Sequence, residues 1–289
     1  MIVGLSLADA LSELGFGRPS GRSGVSGGCI ADGQKLQFRD GRALFLKSGR
    51  LPEGLFAAEA AGLEALHRAA TILRIPAPIA VGSKSEPYLL LEWIDSGRRG
   101  SAFAERLGEG LAEVHRSSAD RYGFESDNFI GSTPQPNDWC DSWLEFFGER
   151  RLRYQVDLAL RCGRLDGGLG SAIERIIDRL PDLLPESERP SLIHGDLWGG
   201  NLMCDGEGNP ALIDPAVYYG HREADLAMTR LFGGFPGRFY SSYQSAWPLD
   251  PGFDERVELY NLYHMLNHLN LFGGGYLGSV QSIVRHYSL

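Results

Sequence analysis

Apolar runs in the first third of the chain predict strands. Leu36 and Phe38 alternate with polar residues, and the run 43–47 stays apolar until it ends in Lys47. The apolar run 88–94 predicts a further, buried strand, and a polar break over 95–97 follows it. We therefore expect a strand-rich lobe over 1–94 and place the connection between two lobes at this break.

Helical periodicity dominates the remaining residues, so 95–289 is predicted to form a larger, mainly helical lobe. The fold class is accordingly α+β and bilobal, with an antiparallel β-sheet and one central helix in the first lobe. An amphipathic helix is expected near the N-terminus, and further helices over 101–116, 139–162 and 170–183. The polar segment 122–139, rich in Gly and Pro, is predicted to be a long functional loop.

The central helix of the first lobe, over 55–70, carries an acid on its apolar face. At about 100° per residue, Glu59 shares a face with Leu55, Leu63 and Leu66. A buried carboxylate needs a cation, and Lys47, at the end of an apolar strand, needs an anion. We predict that the two form an ion pair that holds nucleotide phosphates, or one that is only structural.

Polar residues that suit phosphoryl transfer follow short apolar runs at 191–216. Asp196 lies five positions before Asn201, and Asp214 ends the next apolar run. One carboxylate could accept a hydroxyl proton, while the amide and the other carboxylate hold Mg²⁺. An Asp-rich turn with two structural carboxylates is the alternative.

This interval resembles the catalytic loop of protein kinases, in which four residues separate the catalytic Asp from an Asn and an Asp-Phe-Gly follows. Here Gly195 stands in place of the usual Arg, and the later motif is Asp214-Pro215-Ala216. In such a fold the backbone near Glu92 and Ile94 would contact adenine.

A glycine-rich segment over 18–30 is a weaker indication of a phosphate-binding turn. It includes Gly24, Gly27, Gly28 and Cys29, and glycine lets backbone N–H groups approach phosphate closely. A flexible surface hairpin is the alternative. If the loop does bind phosphate, a thiol at Cys29 could be open to oxidation.

Three histidines and one acid in the second lobe have several interpretations. His115 is expected to pack or cap a helix, and His264 and His268, one turn apart, to pack or contact substrate rather than bind metal, since no third ligand is evident. Asp225 either accepts N–H groups of the catalytic loop or is an ordinary acid of a first helical turn.

Composition narrows the classes of function. The net charge of −9 over 289 residues, without a basic run, argues against a nucleic-acid partner. Four scattered cysteines favour reduced thiols over disulfides or zinc. The sequence shows neither a signal-peptide pattern nor an apolar stretch long enough to cross a membrane, so a cytoplasmic location is expected.

Taken together, the motifs resemble the fructosamine kinase (ketosamine-3-kinase) family, a branch of the aminoglycoside- and choline-kinase-like fold. The resemblance covers nearly the whole chain and includes Asp127-Asn-Phe-Ile-Gly131 and Phe232-Gly-Gly-Phe-Pro236. Its more specific motifs are Trp198-Gly-Gly-Asn201 and Asp214-Pro-Ala216.

The resemblance implies ATP- and Mg²⁺-dependent phosphorylation of the 3-hydroxyl of ketosamines, which serves deglycation. Asp196 would be the base, Asn201 and Asp214 would bind Mg²⁺, and Trp198 would be a platform for the sugar or the amine. A kinase for an aminoglycoside, choline or homoserine and a non-catalytic nucleotide-binding module are the rival hypotheses. The sugar, the amine carrier and the oligomeric state are not readable from the sequence.

Overall fold

The computed structural model describes residues 1–25, 31–186 and 189–288. Its main sheet has six strands in the order β1-β5-β6-β4-β3-β2. All neighbouring pairs are antiparallel except β1 and β5, which are parallel. The strands are β1 Ile2–Val3, β2 Gly21–Val25, β3 Asp32–Gln37, β4 Ala43–Ser48, β5 Pro78–Ser83 and β6 Glu86–Glu92.

The sheet buries a different helix on each face. On one face, helix α1 (Leu7–Glu13) packs Leu7 and Leu11 against a small core that includes Leu36 and Leu90. The expected N-terminal amphipathic helix is therefore present. On the other face lies α2 (Leu55–Ala69), whose buried residues belong to the large core shared with the helical lobe.

The chain beyond β6 is mainly helical, as predicted. Its helices are α3 Phe103–His115, α4 Trp143–Glu145, α5 Tyr154–Arg161, α6 Gly167–Asp178, α7 Leu180–Leu183, α8 Glu223–Met228, α9 Gly237–Ala246, α10 Phe253–Phe272 and α11 Leu277–Tyr287. A π-helical segment, Phe146–Arg153, joins α4 to α5. Three strand pairs complete this part: β7 Asn128–Ile130 with β8 Thr133–Gln135, β9 Ser191–Ile193 with β12 Tyr218–Gly220, and β10 Leu202–Cys204 with β11 Pro210–Leu212.

Two local predictions need correction. The segment 122–139 is not a plain loop, because β7 and β8 form a hairpin within it. Part of the expected glycine-rich turn is strand β2, in which Gly24 pairs with Gln34 of β3. Glycine hides β2 from a pattern search, because it contributes no side chain to the alternation although its backbone pairs normally. Strands β7 and β8 have three residues each, too few to show an alternating pattern. Gly27, Gly28 and Cys29 lie outside the described residues.

Among the described residues, no helix is long and apolar enough to cross a membrane. Of the described cysteines, Cys140, Cys162 and Cys204 are free thiols.

Buried histidines should make the fold sensitive to acid. His221 stacks on Tyr260 with ring centroids 5.9 Å apart, and burial lowers its pKa from 6.5 to about 3. The unfolded chain therefore binds a proton more readily than the folded protein. The stability that neutral His221 contributes to the fold is fully present above about pH 6.5. It is lost as the pH falls toward 3, by about 1.4 kcal/mol per pH unit.

We expect the variant His221→Phe, which keeps a ring in the stack, to show a correspondingly shallower decline of stability between pH 6.5 and 4. Urea unfolding of both proteins across this range measures the difference. Parallel pH profiles for the two proteins would contradict the prediction.

Candidate active site

The catalytic loop begins after β9, and a buried carboxylate holds its backbone. Asp225, at the start of α8, accepts hydrogen bonds from the N–H groups of His194 (2.6 Å) and Gly195 (2.8 Å). The ring of His115 lies 3.2 Å from the same carboxylate. Burial alone would raise the pKa of Asp225, but its bonds with His115 and His194 outweigh burial and lower it. The interpretation of Asp225 as an anchor of the catalytic loop is confirmed.

Gly195 occupies a position that no side chain could enter. Its φ is +80°, and a Cβ built there would lie 2.0 Å from the carbonyl oxygen of Ala216. The N–H of Ala216 in turn donates to the carbonyl of His194 at 2.8 Å. This close crossing of two backbones explains why the Arg of the protein-kinase motif is absent here.

Asp196, Asn201 and Asp214 meet at one point, as the sequence predicted. The amide nitrogen of Asn201 donates to the Asp196 carboxylate at 3.0 Å and to the Asp196 carbonyl at 2.8 Å. Burial raises the pKa of Asp196 to about 7, although the bond from Asn201 opposes the rise. Asp214 has a positive φ of 54°, an unusual conformation for a residue other than glycine. Strain of this kind is characteristic of functional sites.

Lys47 connects this group to the β-sheet. Its ammonium lies 2.5 Å from Glu59 Oε1 and 2.5 Å from Asp214 Oδ1, so the predicted ion pair is present and a third member joins it. Burial opposes the charge on Lys47, but the two carboxylates outweigh it and raise its pKa. Burial raises the pKa of Glu59. Lys47 is thus a cation fixed between the central helix and the catalytic segment.

A cavity of about 410 Å³ contains these side chains. Leu91, Glu92, Trp93 and Ile94 line it on the side of the predicted adenine contacts, and Trp198 lines it near Asp196. The side chain of Glu92 forms an ion pair with Arg74, and its backbone N–H donates to the carbonyl of Ala77 at 3.0 Å. Gly24 is not among the lining residues, although its neighbour Val25 is.

The described residues could supply a Mg²⁺ site. The nitrogen of Asn201 is used in its bonds to Asp196, and Lys47 contacts only Oδ1 of Asp214. Within the described part of the chain, Oδ1 of Asn201 and Oδ2 of Asp214 have no hydrogen-bond partner, and both residues line the cavity. Amide and carboxylate oxygens are the ligands that Mg²⁺ prefers.

The β7–β8 hairpin supports the backbone that follows Asp214, a role that sequence reasoning did not assign. Asn128 donates to the carbonyl of Val217 at 2.7 Å, and Gln135 donates to that of Ala216 at 3.1 Å. The hydroxyl of Tyr263 donates to Gln135 at 2.5 Å. These buried bonds fix the backbone just after Asp214. The only sequence signal was a polar motif whose partners lie about eighty residues away.

Beneath the hairpin lies a buried arginine that was also missed. Arg151, in the π-helical segment, donates to Asn137 at 2.7 Å and to the carbonyl of Pro136 at 2.7 Å. Its guanidinium stacks 3.9 Å from the ring centroid of Tyr218. Carbonyl dipoles and ring faces therefore stabilise its charge.

Comparison with known proteins agrees with this geometry. The family model described as fructosamine kinase matches residues 10–288. A probable ketoamine kinase of Synechocystis sp. is 46% identical, over 91% of this chain and 89% of its own length. A chloroplastic protein-ribulosamine 3-kinase of Oryza sativa is 42% identical, over 93% of this chain and 79% of its own length. The ketosamine-3-kinase of Mus musculus is 37% identical, over 96% of this chain and 97% of its own length.

Solved structures extend the comparison to the fold. A Thermobifida fusca protein, provisionally named as a fructosamine-3-kinase, superposes with a TM-score of 0.88 at 32% identity, over 98% of each chain. A choline kinase of Streptococcus pneumoniae has a TM-score of 0.65 at 14% identity, over 98% of this chain and 97% of its own, which shows the shared kinase-like fold alone. By its sequence, its fold and the match over nearly its whole length, the chain belongs to the fructosamine kinase family.

Proposed function

We propose that this protein transfers the γ-phosphoryl group of ATP to the 3-hydroxyl of ketosamines, the adducts of sugars with amines, and so serves deglycation. The observation that carries the proposal is the convergence of Asp196, Asn201, Asp214 and Lys47 on one cavity, within a chain of this family. The names of the relatives support ketosamines as the substrate class.

In the proposed mechanism, Asp196 accepts the proton of the substrate hydroxyl. A base is most effective when its pKa lies near the working pH, and burial provides such a value here. Asn201 fixes the orientation of this carboxylate through its bond at 3.0 Å. The hydroxyl is thereby held with its oxygen free to attack phosphorus.

The remaining residues bind the nucleotide and offset its charge. Lys47, oriented by Glu59, would bond phosphate oxygens in exchange for its present contact with Asp214. Asn201 and Asp214 would hold Mg²⁺, which would supply positive charge to offset the charge that develops on the phosphates. The backbone at Glu92 and Ile94 would contact adenine, with the lobe boundary near 94.

Three predictions stay with this proposal. The glycine-rich segment, with Gly24, Gly27, Gly28 and Cys29, would cover the phosphates, although only Gly24 is among the described residues. Oxidation of Cys29 also stays a prediction, because this residue lies outside the described part of the chain. A cytoplasmic location is the setting that we propose for the enzyme.

An ADP-release assay with ketosamines of fructose and ribulose tests the function directly. We expect turnover with at least one of them and none with choline, homoserine or an aminoglycoside. Turnover of an amino alcohol alone would favour the rival small-molecule kinase. Nucleotide binding without turnover of any acceptor would favour the non-catalytic module.

A further inference from the structure

An exposed group of aromatic rings continues from the cavity across the surface of the helical lobe. Three separate segments supply it: the predicted catalytic loop, the turn after α8, and the end of α10 with the short 3-10 segment that follows it. We call it the aromatic wall and define it by Trp198, Phe232, His268, Phe272 and Tyr276.

The rings of the wall touch one another in sequence. Trp198 meets Phe232 edge to face with centroids 5.7 Å apart, and Phe232 lies 5.2 Å from His268. His268 then contacts Phe272 at 5.6 Å and Tyr276 at 5.0 Å. Since Trp198 also lines the cavity beside Asp196, the wall begins at the reacting centre.

Two of the five rings of the wall are exposed and the other three are partly buried, whereas an ordinary core cluster would be covered. Phe232 is 49% exposed and Phe272 is 53% exposed, which places both among the large apolar side chains most accessible to solvent. Large apolar surfaces next to a cavity characteristically bind a partner or ligand. Packing in the core therefore does not account for the position of these two rings.

The backbone gives a second, independent observation. Among the described residues, only Asp214 and Phe232 combine a side chain with a positive φ, and both have a φ of 54°. Gly233 and Gly234, which follow Phe232, also have positive φ. An unfavourable backbone conformation persists only where the surrounding structure enforces it, and such residues cluster at functional sites. In this conformation the Phe232 ring packs against Trp198.

The position of the wall indicates which part of a substrate it faces. Lys47 and the strand ending at Glu92 carry the proposed nucleotide contacts, whereas Trp198 lines the same cavity two positions after Asp196, the proposed base. The sugar hydroxyl must lie at Asp196. The amine substituent of a ketosamine therefore extends from the cavity along the wall.

The chemistry of the wall suits an apolar or aromatic group next to a cation. Burial lowers the pKa of His268, so its ring is neutral at neutral pH, and the other four members carry no charge. Ring faces attract the protonated nitrogen of a ketosamine, and ring edges pack well against other aromatic groups.

From the contacts and exposure of these rings, we propose that the aromatic wall binds the amine substituent of the substrate and selects ketosamines whose amine carries an apolar or aromatic group. The inference rests on the proposed function and adds the substrate class to it. Phe232 and Phe272 act as specificity-determining residues.

The test compares kcat/KM for the fructosamines of benzylamine and of methylamine, which share the sugar and differ in the amine substituent. In the wild type we expect the benzyl adduct to be preferred by about tenfold or more, the usual range for a well-packed aromatic contact. Phe232→Ala and Phe272→Ala should each reduce this ratio several-fold, chiefly through KM. For Phe272→Leu, which keeps apolar bulk but removes the ring, the ratio should lie between that of the wild type and that of Phe272→Ala.

The control is Leu160→Ala, which truncates a side chain that is 38% exposed on α5 and outside the wall; the ratio should not change. Circular dichroism verifies that each variant is folded. A wild-type ratio near one, or an unchanged ratio in both Phe variants, would overturn the inference while leaving the proposed function intact. Failure to phosphorylate either adduct, with turnover of an amino alcohol, would instead reject the proposed function.

Discussion

Replacing Asp196 by Asn lowers kcat for ketosamine phosphorylation by about 10²- to 10⁴-fold, the contribution typical of a positioned general base. The variant keeps the shape of the side chain and its ability to accept the bond from Asn201, which is 3.0 Å in the wild type. It loses only the capacity to take up the hydroxyl proton. ATP affinity should therefore change little, because Asp196 has no part in binding the nucleotide.

Single-turnover kinetics and equilibrium titration with a fluorescent ATP analogue separate these two effects. Asp141→Asn is the matched control, since this carboxylate is 85% exposed and pairs only with Arg121. The control should retain wild-type kinetics. Wild-type kcat in Asp196→Asn would remove this residue from the mechanism.

Removing the ammonium of Lys47 should damage stability and activity together. In Lys47→Met, the largely buried carboxylate of Glu59 and the partly exposed carboxylate of Asp214 lose a cation that lies 2.5 Å from each. Leaving a buried charge unpaired costs about 3–5 kcal/mol. The nucleotide phosphates also lose their ligand, so we expect kcat/KM for ATP to fall by at least two orders of magnitude, about 2.7 kcal/mol of transition-state stabilisation.

The double variant Lys47→Met/Glu59→Gln distinguishes the two losses. Neutralising Glu59 removes the unpaired charge on α2, so much of the stability should return. Activity should not return, because no cation is restored. Urea unfolding and steady-state kinetics of the wild type, both single variants and the double variant complete the cycle. Recovery of activity in the double variant would show that Lys47 only balances Glu59.

The sequence was sufficient to predict the parts of the site that depend on local spacing. Asn201 follows Asp196 with four residues between them, and the periodicity of α2 places Glu59 on a buried face, so both features could be recognised without a structure. The bilobal fold followed from the change from strand patterns to helical ones. The ion pair of Glu59 with Lys47 followed because two buried charges of opposite sign need each other.

Contacts between distant segments were decided only by the tertiary structure. Nothing in the spacing of residues indicated that Lys47 reaches Asp214 or that Gln135 holds the carbonyl of Ala216. The aromatic wall combines residues from the catalytic loop, the turn after α8 and the end of α10, including Phe232 and Phe272. Periodicity reports on one element at a time, whereas packing determines which elements meet. The sequence alone therefore determined which residues suit phosphoryl transfer, and the folded chain determined the aromatic surface that we propose faces the substrate.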